Sequence, residues 1–138
     1  MPEMPLPSQL SATALAAAAL VGGAALAGGA APAAADPVPA STVQLTIQGE
    51  NLLEASVTTL NCEPSGGTHP AADTACDALI TADGDFAALP VEPRACTLQY
   101  DPVTVHASGT WHGEPIHFQQ DYPNRCAAAS ESGGVFDF

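Results

Sequence analysis

Lysine is absent from this chain of 138 residues, and only two arginines, Arg94 and Arg125, stand against 15 aspartates and glutamates, for a formal net charge of -13. That imbalance excludes nucleic acid and anionic lipid surfaces as partners, because both need basic groups to displace their counterions. Aromatic residues are also scarce, at 5% beside a hydrophobic fraction of 46%, so much of the apolar count is alanine. The length leaves no room for a two-domain enzyme of the Rossmann or barrel type and implies one small core. Local signatures of catalysis are missing too. There is no GxSxG elbow, no HExxH, no Gly-rich phosphate loop, no CxxC pair and no DxDxDG calcium loop.

The alanine sits mostly at the front. Met4 to Ala35 carries no charge and runs as Ala, Gly and Leu through Leu15, Leu20, Val21 and Leu26. Alanine is only marginally apolar, and the glycine pairs Gly22–Gly23 and Gly28–Gly29 loosen a helix, so a permanent membrane anchor is the weaker reading. Ala33 and Ala35 supply the small residues that signal peptidase needs, which places cleavage after Ala35. Glu3 stands where a leader ordinarily opens with Lys or Arg. Residues 1–35 are therefore expected to be a secretory signal peptide, and residues 36–138 an extracellular domain with no membrane attachment. All four cysteines (Cys62, Cys76, Cys96 and Cys126) follow the leader. An even count in a short exported chain reads as two disulfides, with three pairings open.

Hydrophobic periodicity divides the remainder. Val43, Leu45 and Ile47 alternate with polar residues up to Gly49, predicting a half-buried strand, and Ala55 to Cys62 predicts a second. Pro64 to Gly67 reads as a turn. A helix is expected over Thr68 to Asp83, with Pro70 in its first turn, Asp73 near its N-terminus and Gly84 as its stop. Beyond Tyr100, Val103 and Val105 open a meander with turns at Ser108–Gly109 and at His112 to Pro115. Ile116 to Tyr122, a helical turn over Arg125 to Ser130 and a closing strand over Val135 to Phe138 complete it. The expected class is α+β, an antiparallel sheet of about five strands with helix on one side.

His106, His112 and His117 are separated by turns, so no metal triad is forced, and His69 before Pro70 reads as a hydrogen-bonding residue at a helix entry. Asp83 and Asp85 read as a helix stop and a cap. Neither metal nor cofactor is expected. The segment from Leu89 to Pro102, LPVEPRACTLQYDP, is more informative. Prolines bias it towards extended geometry, and a disulfide at Cys96 would tie it down. Two readings stay open from these residues. Leu98 is either the tip of a rigid loop that a serine proteinase cleft accepts by strand addition, or an inward residue of an ordinary connection.

At SGGTHPAADTAC (Ser65 to Cys76), CTLQYDPV (Cys96 to Val103), GTWHG (Gly109 to Gly113), YPNRC (Tyr122 to Cys126) and the terminal VFDF, the sequence resembles the Streptomyces subtilisin inhibitor family. The resemblance runs from about Ser41 to Phe138. It implies a five-stranded antiparallel sheet with two α-helices, disulfides Cys62–Cys76 and Cys96–Cys126, and a homodimer joined through sheet faces. It implies inhibition of subtilisin-like serine proteinases by a substrate-like mechanism, with Leu98–Gln99 as the reactive bond. Ala95, Cys96, Thr97 and Tyr100 would then complete the contact loop, with Asn124 supporting it. The first cysteine loop is about one residue shorter than the family pattern, and Ala95 is smaller than the apolar residue subtilisin-like enzymes favour there. The competing class is a secreted binding module that uses the sheet face or the His-bearing turns; a hydrolase is disfavoured by the missing nucleophile constellation.

Overall fold

Alternation of apolar and polar residues decides the centre of the sheet. In the computed structural model, which describes residues 28–33 and 35–138, that pattern becomes β1, Ser41–Gly49, with Val43, Leu45 and Ile47 buried. β2, Ala55–Cys62, lies antiparallel on one side of it, and β4, Val103–Trp111, on the other. β3 is the two-residue strand Gly66–Gly67 at one edge, and β5, Glu114–Tyr122, forms the other edge, giving the order β3-β2-β1-β4-β5. The expected leader lies, apart from residues 28–33 and 35, outside the described residues.

The register sorts the two faces. Thr58, Leu45, Ala107 and Phe118 share one rung and point inwards. Val57, Thr46, His106 and Gln119 share the next rung and point the other way, because side chains alternate along a strand. Helix α1, Ala72–Thr81, packs on the inner face against β2, and α2, Arg125–Glu131, against β4 and β5. Phe136, Leu79, Leu60 and Val135 fill the space between. The expected fold class, sheet composition and both disulfides are thereby observed. Cys62–Cys76 joins β2 to α1 within the core, and Cys96–Cys126 joins the segment before β4 to α2, with Cα separations of 5.5 and 5.7 Å.

Four local expectations are corrected. The first helix begins at Ala72, not Thr68, because Thr68 and His69 spend their N–H groups on the Thr59 carbonyl beside β2. Pro70 consequently precedes the helix, and His69 Nδ1 accepts from Ala71 N at 3.0 Å while Nε2 meets the Val135 carbonyl at 3.0 Å. His69 is thus a hydrogen-bonding residue at the helix entry, as its place before Pro70 predicts.

Ser108–Gly109 is not a turn. β4 runs straight through it, since Gly109 (φ +145) lies opposite Val43, and a Cβ there would sit 2.2 Å from the Thr42 carbonyl oxygen. Glycine is required for the close approach of two backbones, not for a change of direction. The real reversal is the two-residue turn His112–Gly113, both at positive φ, which leaves Pro115 inside β5.

Val135 to Phe138 is not a strand. Val135 N bonds the Ser132 carbonyl and Phe136 N bonds Ser132 Oγ, so successive turns satisfy the backbone while Val135 and Phe136 enter the core. The fifth strand is instead β3, within the segment read as a turn.

Gly109→Ala is expected to cost at least about 2 kcal/mol, because β1 must move away from the added methyl. A thermal melt should register it as a loss of roughly 10 °C. Gly113→Ala, which meets nothing within 4 Å, should cost about half as much or less.

Candidate functional site

The chain from Leu89 to Pro102 forms no helix or strand, yet it is tied down at nearly every step. At its start, Glu92 N donates to the Ser130 carbonyl and Ser130 Oγ donates to the Glu92 carbonyl, both at 2.7 Å. Next, the Arg94 guanidinium reaches Asp137 at 3.1 Å and Glu92 at 3.3 Å. Hydrogen bonding to Asp137 holds the Arg94 pKa above its ordinary value. The Cys96–Cys126 disulfide follows, and at the far end Asp101 N donates to the Pro123 carbonyl at 2.9 Å before β4 begins.

Between these anchors the apex is held by one side chain. Asn124 Nδ2 donates to the Gln99 carbonyl at 2.9 Å and to the Thr97 carbonyl at 3.4 Å, one residue on each side of Leu98. Its Oδ1 accepts from Ala127 N at 2.8 Å and so caps α2. The same carboxamide therefore fixes its own orientation on a helix and the loop on itself. Leu98 between the two held carbonyls is 101% exposed, which removes the reading in which it tucks inwards. Ala95, Thr97, Gln99 and Tyr100 are exposed beside it. Among the described residues, no intramolecular partner is found for the backbone N–H groups of Cys96 to Tyr100, so the edge is free to add to another strand.

Sequence reasoning named Ala95 to Tyr100, Asn124 and the disulfide, and the fold brings all of them together. It missed the anchoring role of Glu92, Arg94, Ser130 and Asp137. One signal was available: Arg94 and Arg125 are the only cations, and both engage the final residues, with Arg125 donating to the Phe138 carbonyl at 3.2 Å and to Ser56 Oγ at 3.0 Å. The histidines do not converge on this site. His112 pairs with Glu63 and stacks on Trp111, while His106 and His117 lie on the outward face of β4 and β5. Among the described residues, no group of three or more His, Cys, Asp or Glu side chains could hold a metal ion.

Residues 39–124 match the family model described as subtilisin inhibitor-like. The chain is 39% identical over 106 residues to the protease inhibitor SIL-V1/SIL-V4 of Streptomyces netropsis, an alignment covering 72% of this chain and 96% of that protein. It is 40% identical over 106 residues to a subtilase-type protease inhibitor of Streptomyces fradiae, covering 72% and 75%. Among solved structures, Streptomyces caespitosus sermetstatin in complex with Bacillus licheniformis subtilisin is similar at a TM-score of 0.53 and 34% identity, covering 71% of this chain and 98% of that one.

Two substitutions separate the duties of Asn124. Asn124→Asp keeps the acceptor for Ala127 N and loses the donor to the loop, so the melting temperature should hardly change. Limited proteolysis between Leu98 and Gln99 should accelerate about tenfold or more. Asn124→Ala should add a loss of about 1 kcal/mol in stability from the missing cap. Burial raises the pKa of Tyr122, with Glu131 adding to it. The folded state thus favours the neutral phenol. That contribution should be complete below the ordinary tyrosine pKa of about 10 and be lost as pH rises through the higher folded value, visible in alkaline unfolding and absent in Tyr122→Phe.

Proposed function

The chain belongs to the subtilisin inhibitor-like family, and on that premise we propose that it is an exported inhibitor of subtilisin-like serine proteinases whose reactive bond is Leu98–Gln99. The observation that carries the reading is Leu98 itself, fully exposed between two carbonyls held by Asn124 and two residues beyond a disulfide. Such a loop loses little conformational freedom on docking, so more of the contact energy appears as affinity.

The substrate-like mechanism follows from the same anchors. The proteinase nucleophile adds to the Leu98 carbonyl, and the Leu98–Gln99 bond breaks as the Gln99 amine takes a proton. The acyl side stays attached through Cys96–Cys126 and the Thr97–Asn124 bond, the amine side through Gln99–Asn124 and Asp101–Pro123. The amine remains at high effective concentration beside the acyl group, and resynthesis competes with hydrolysis. Leu98 suits a large apolar primary pocket, as in subtilisin and chymotrypsin, whereas trypsin requires a cation there.

Export through residues 1–35, and pairing of two copies through the outward sheet face, belong to the same proposal. The central rungs of that face, with Gln44, Thr46, Thr59, Ser108 and Gln119, carry no carboxylate, which allows two copies of an acidic chain to meet there without like-charge repulsion.

Titration with purified 36–138 domain should abolish subtilisin activity at one inhibitor chain per enzyme, with trypsin little affected. Leu98→Gly should weaken inhibition about 100-fold or more, and Leu98→Lys should transfer potency to trypsin. Full subtilisin activity, with the Leu98–Gln99 bond uncut after long incubation, would favour a binding module instead. The exported protein should begin at Asp36 by intact mass.

A further inference from the structure

Among the described residues, eight large apolar side chains are exposed, and four of them (Leu52, Leu53, Leu98 and Tyr100) belong to two segments at one end of the sheet. Register fixes that placement: Gly49, the last residue of β1, pairs with Val103, the first of β4. The β1–β2 turn and the segment leading into β4 consequently leave the sheet at the same end. They also flank one groove, lined by Gly49 and Glu50 on one side and by Tyr100 and Pro102 on the other, with Asp121 beside them.

The turn carries Leu52 and Leu53 side by side at 80% and 91% exposure. Turn tips ordinarily carry polar residues or glycine, and nothing in the core uses these two. The tip is nevertheless ordered by hydrogen bonds. Asn51 Oδ1 accepts from Leu53 N at 3.2 Å, Glu54 N donates to the Asn51 carbonyl at 2.9 Å, and Gly49 N donates to the Glu54 carbonyl at 3.1 Å. A closed turn presenting adjacent leucines is organised before any partner arrives, as the Leu98 loop is.

We propose that the Leu52–Leu53 tip is a second docking surface for the same proteinase that takes Leu98, gripping the enzyme beside its leaving-group subsites. The proposal rests on the inhibitor reading of the Leu98 loop. The side is set by chain direction, since Tyr100 and Pro102, which share the groove with the turn, lie after the Leu98–Gln99 bond. Continuity with the reactive loop selects the proteinase as occupant over a second copy, for which the central rungs of the outward sheet face offer a surface free of carboxylates. The tip then adds selectivity that Leu98 cannot supply. Two enzymes with equal primary pockets are distinguished by whether their surface beyond the leaving-group subsites is apolar.

The test compares wild type, Leu98→Gly and the double variant Leu52→Asp with Leu53→Asp, by association and dissociation rates with subtilisin, melting temperature and solution mass. Both leucines are exposed, so the double variant should fold with an unchanged melting temperature. A variant with a lowered melting temperature is replaced by Leu52→Ser with Leu53→Ser and judged by the same criteria. The proposal expects dissociation about tenfold faster, with association within a few-fold and solution mass unchanged. Wild-type dissociation rates in the double variant, with Leu98→Gly still defective, would overturn the docking surface and leave the inhibitor reading intact. A changed solution mass would overturn it in favour of a contact between copies. A wild type that does not inhibit subtilisin would overturn both.

Discussion

The carboxamide of Asn124 joins helix α2 to the loop on both sides of Leu98. Its oxygen caps α2, and its nitrogen holds the carbonyls on either side of Leu98. Neither bond is strong alone, since a net hydrogen bond in water contributes about 1 kcal/mol. Their value lies in mutual restraint: the helix end fixes the side chain, and the side chain fixes the loop. The Cys96–Cys126 bridge lands on the same helix two residues further along. A loop with no ladder of its own is thereby anchored on both sides of Leu98.

Charge is used sparingly in the same region. A chain with two cations could have scattered them to offset its acidity, yet Arg94 links the loop entry to Asp137 and Arg125 links α2 to the Phe138 carbonyl and Ser56. Exposed ion pairs of this kind contribute little to global stability. Their position gives them a local role, because Asp137 and Phe138 follow Val135 and Phe136, which are anchored in the core. The loop is thus referred back to the hydrophobic core by two routes, one through the disulfide and Asn124 and one through Arg94.

Much of the fold was legible in short patterns. β1 and β2 were read at nearly their final bounds because one face of each is buried and the period of two survives in the residues. Asp85 was read as a cap, and its Oδ1 does accept from Ala87 N at 2.9 Å. The errors share one cause. Gly109 was taken as a turn, Thr68–Pro70 as helix and Val135–Phe138 as strand, and in each case a contact outside the segment itself decides the backbone. Thr42 forces Gly109, Thr59 captures the N–H groups of Thr68 and His69, and the core admits Val135 and Phe136 from a pair of turns.

By itself, the sequence determined the class of partner it excludes, the two central strands, the even cysteine set and the residues from Ala95 to Tyr100 that could form a contact loop. These are properties of composition, of local period and of short motifs, which the chain carries whatever its tertiary arrangement. Only the tertiary structure decided that Leu98 points outwards, that Asn124 reaches both neighbouring carbonyls, that Arg94 finds Asp137, and that Leu52 and Leu53 emerge at the same end as the loop. Each of these depends on which strand lies beside which and in what register, and register is settled by burying one face of the whole sheet at once rather than by any segment alone.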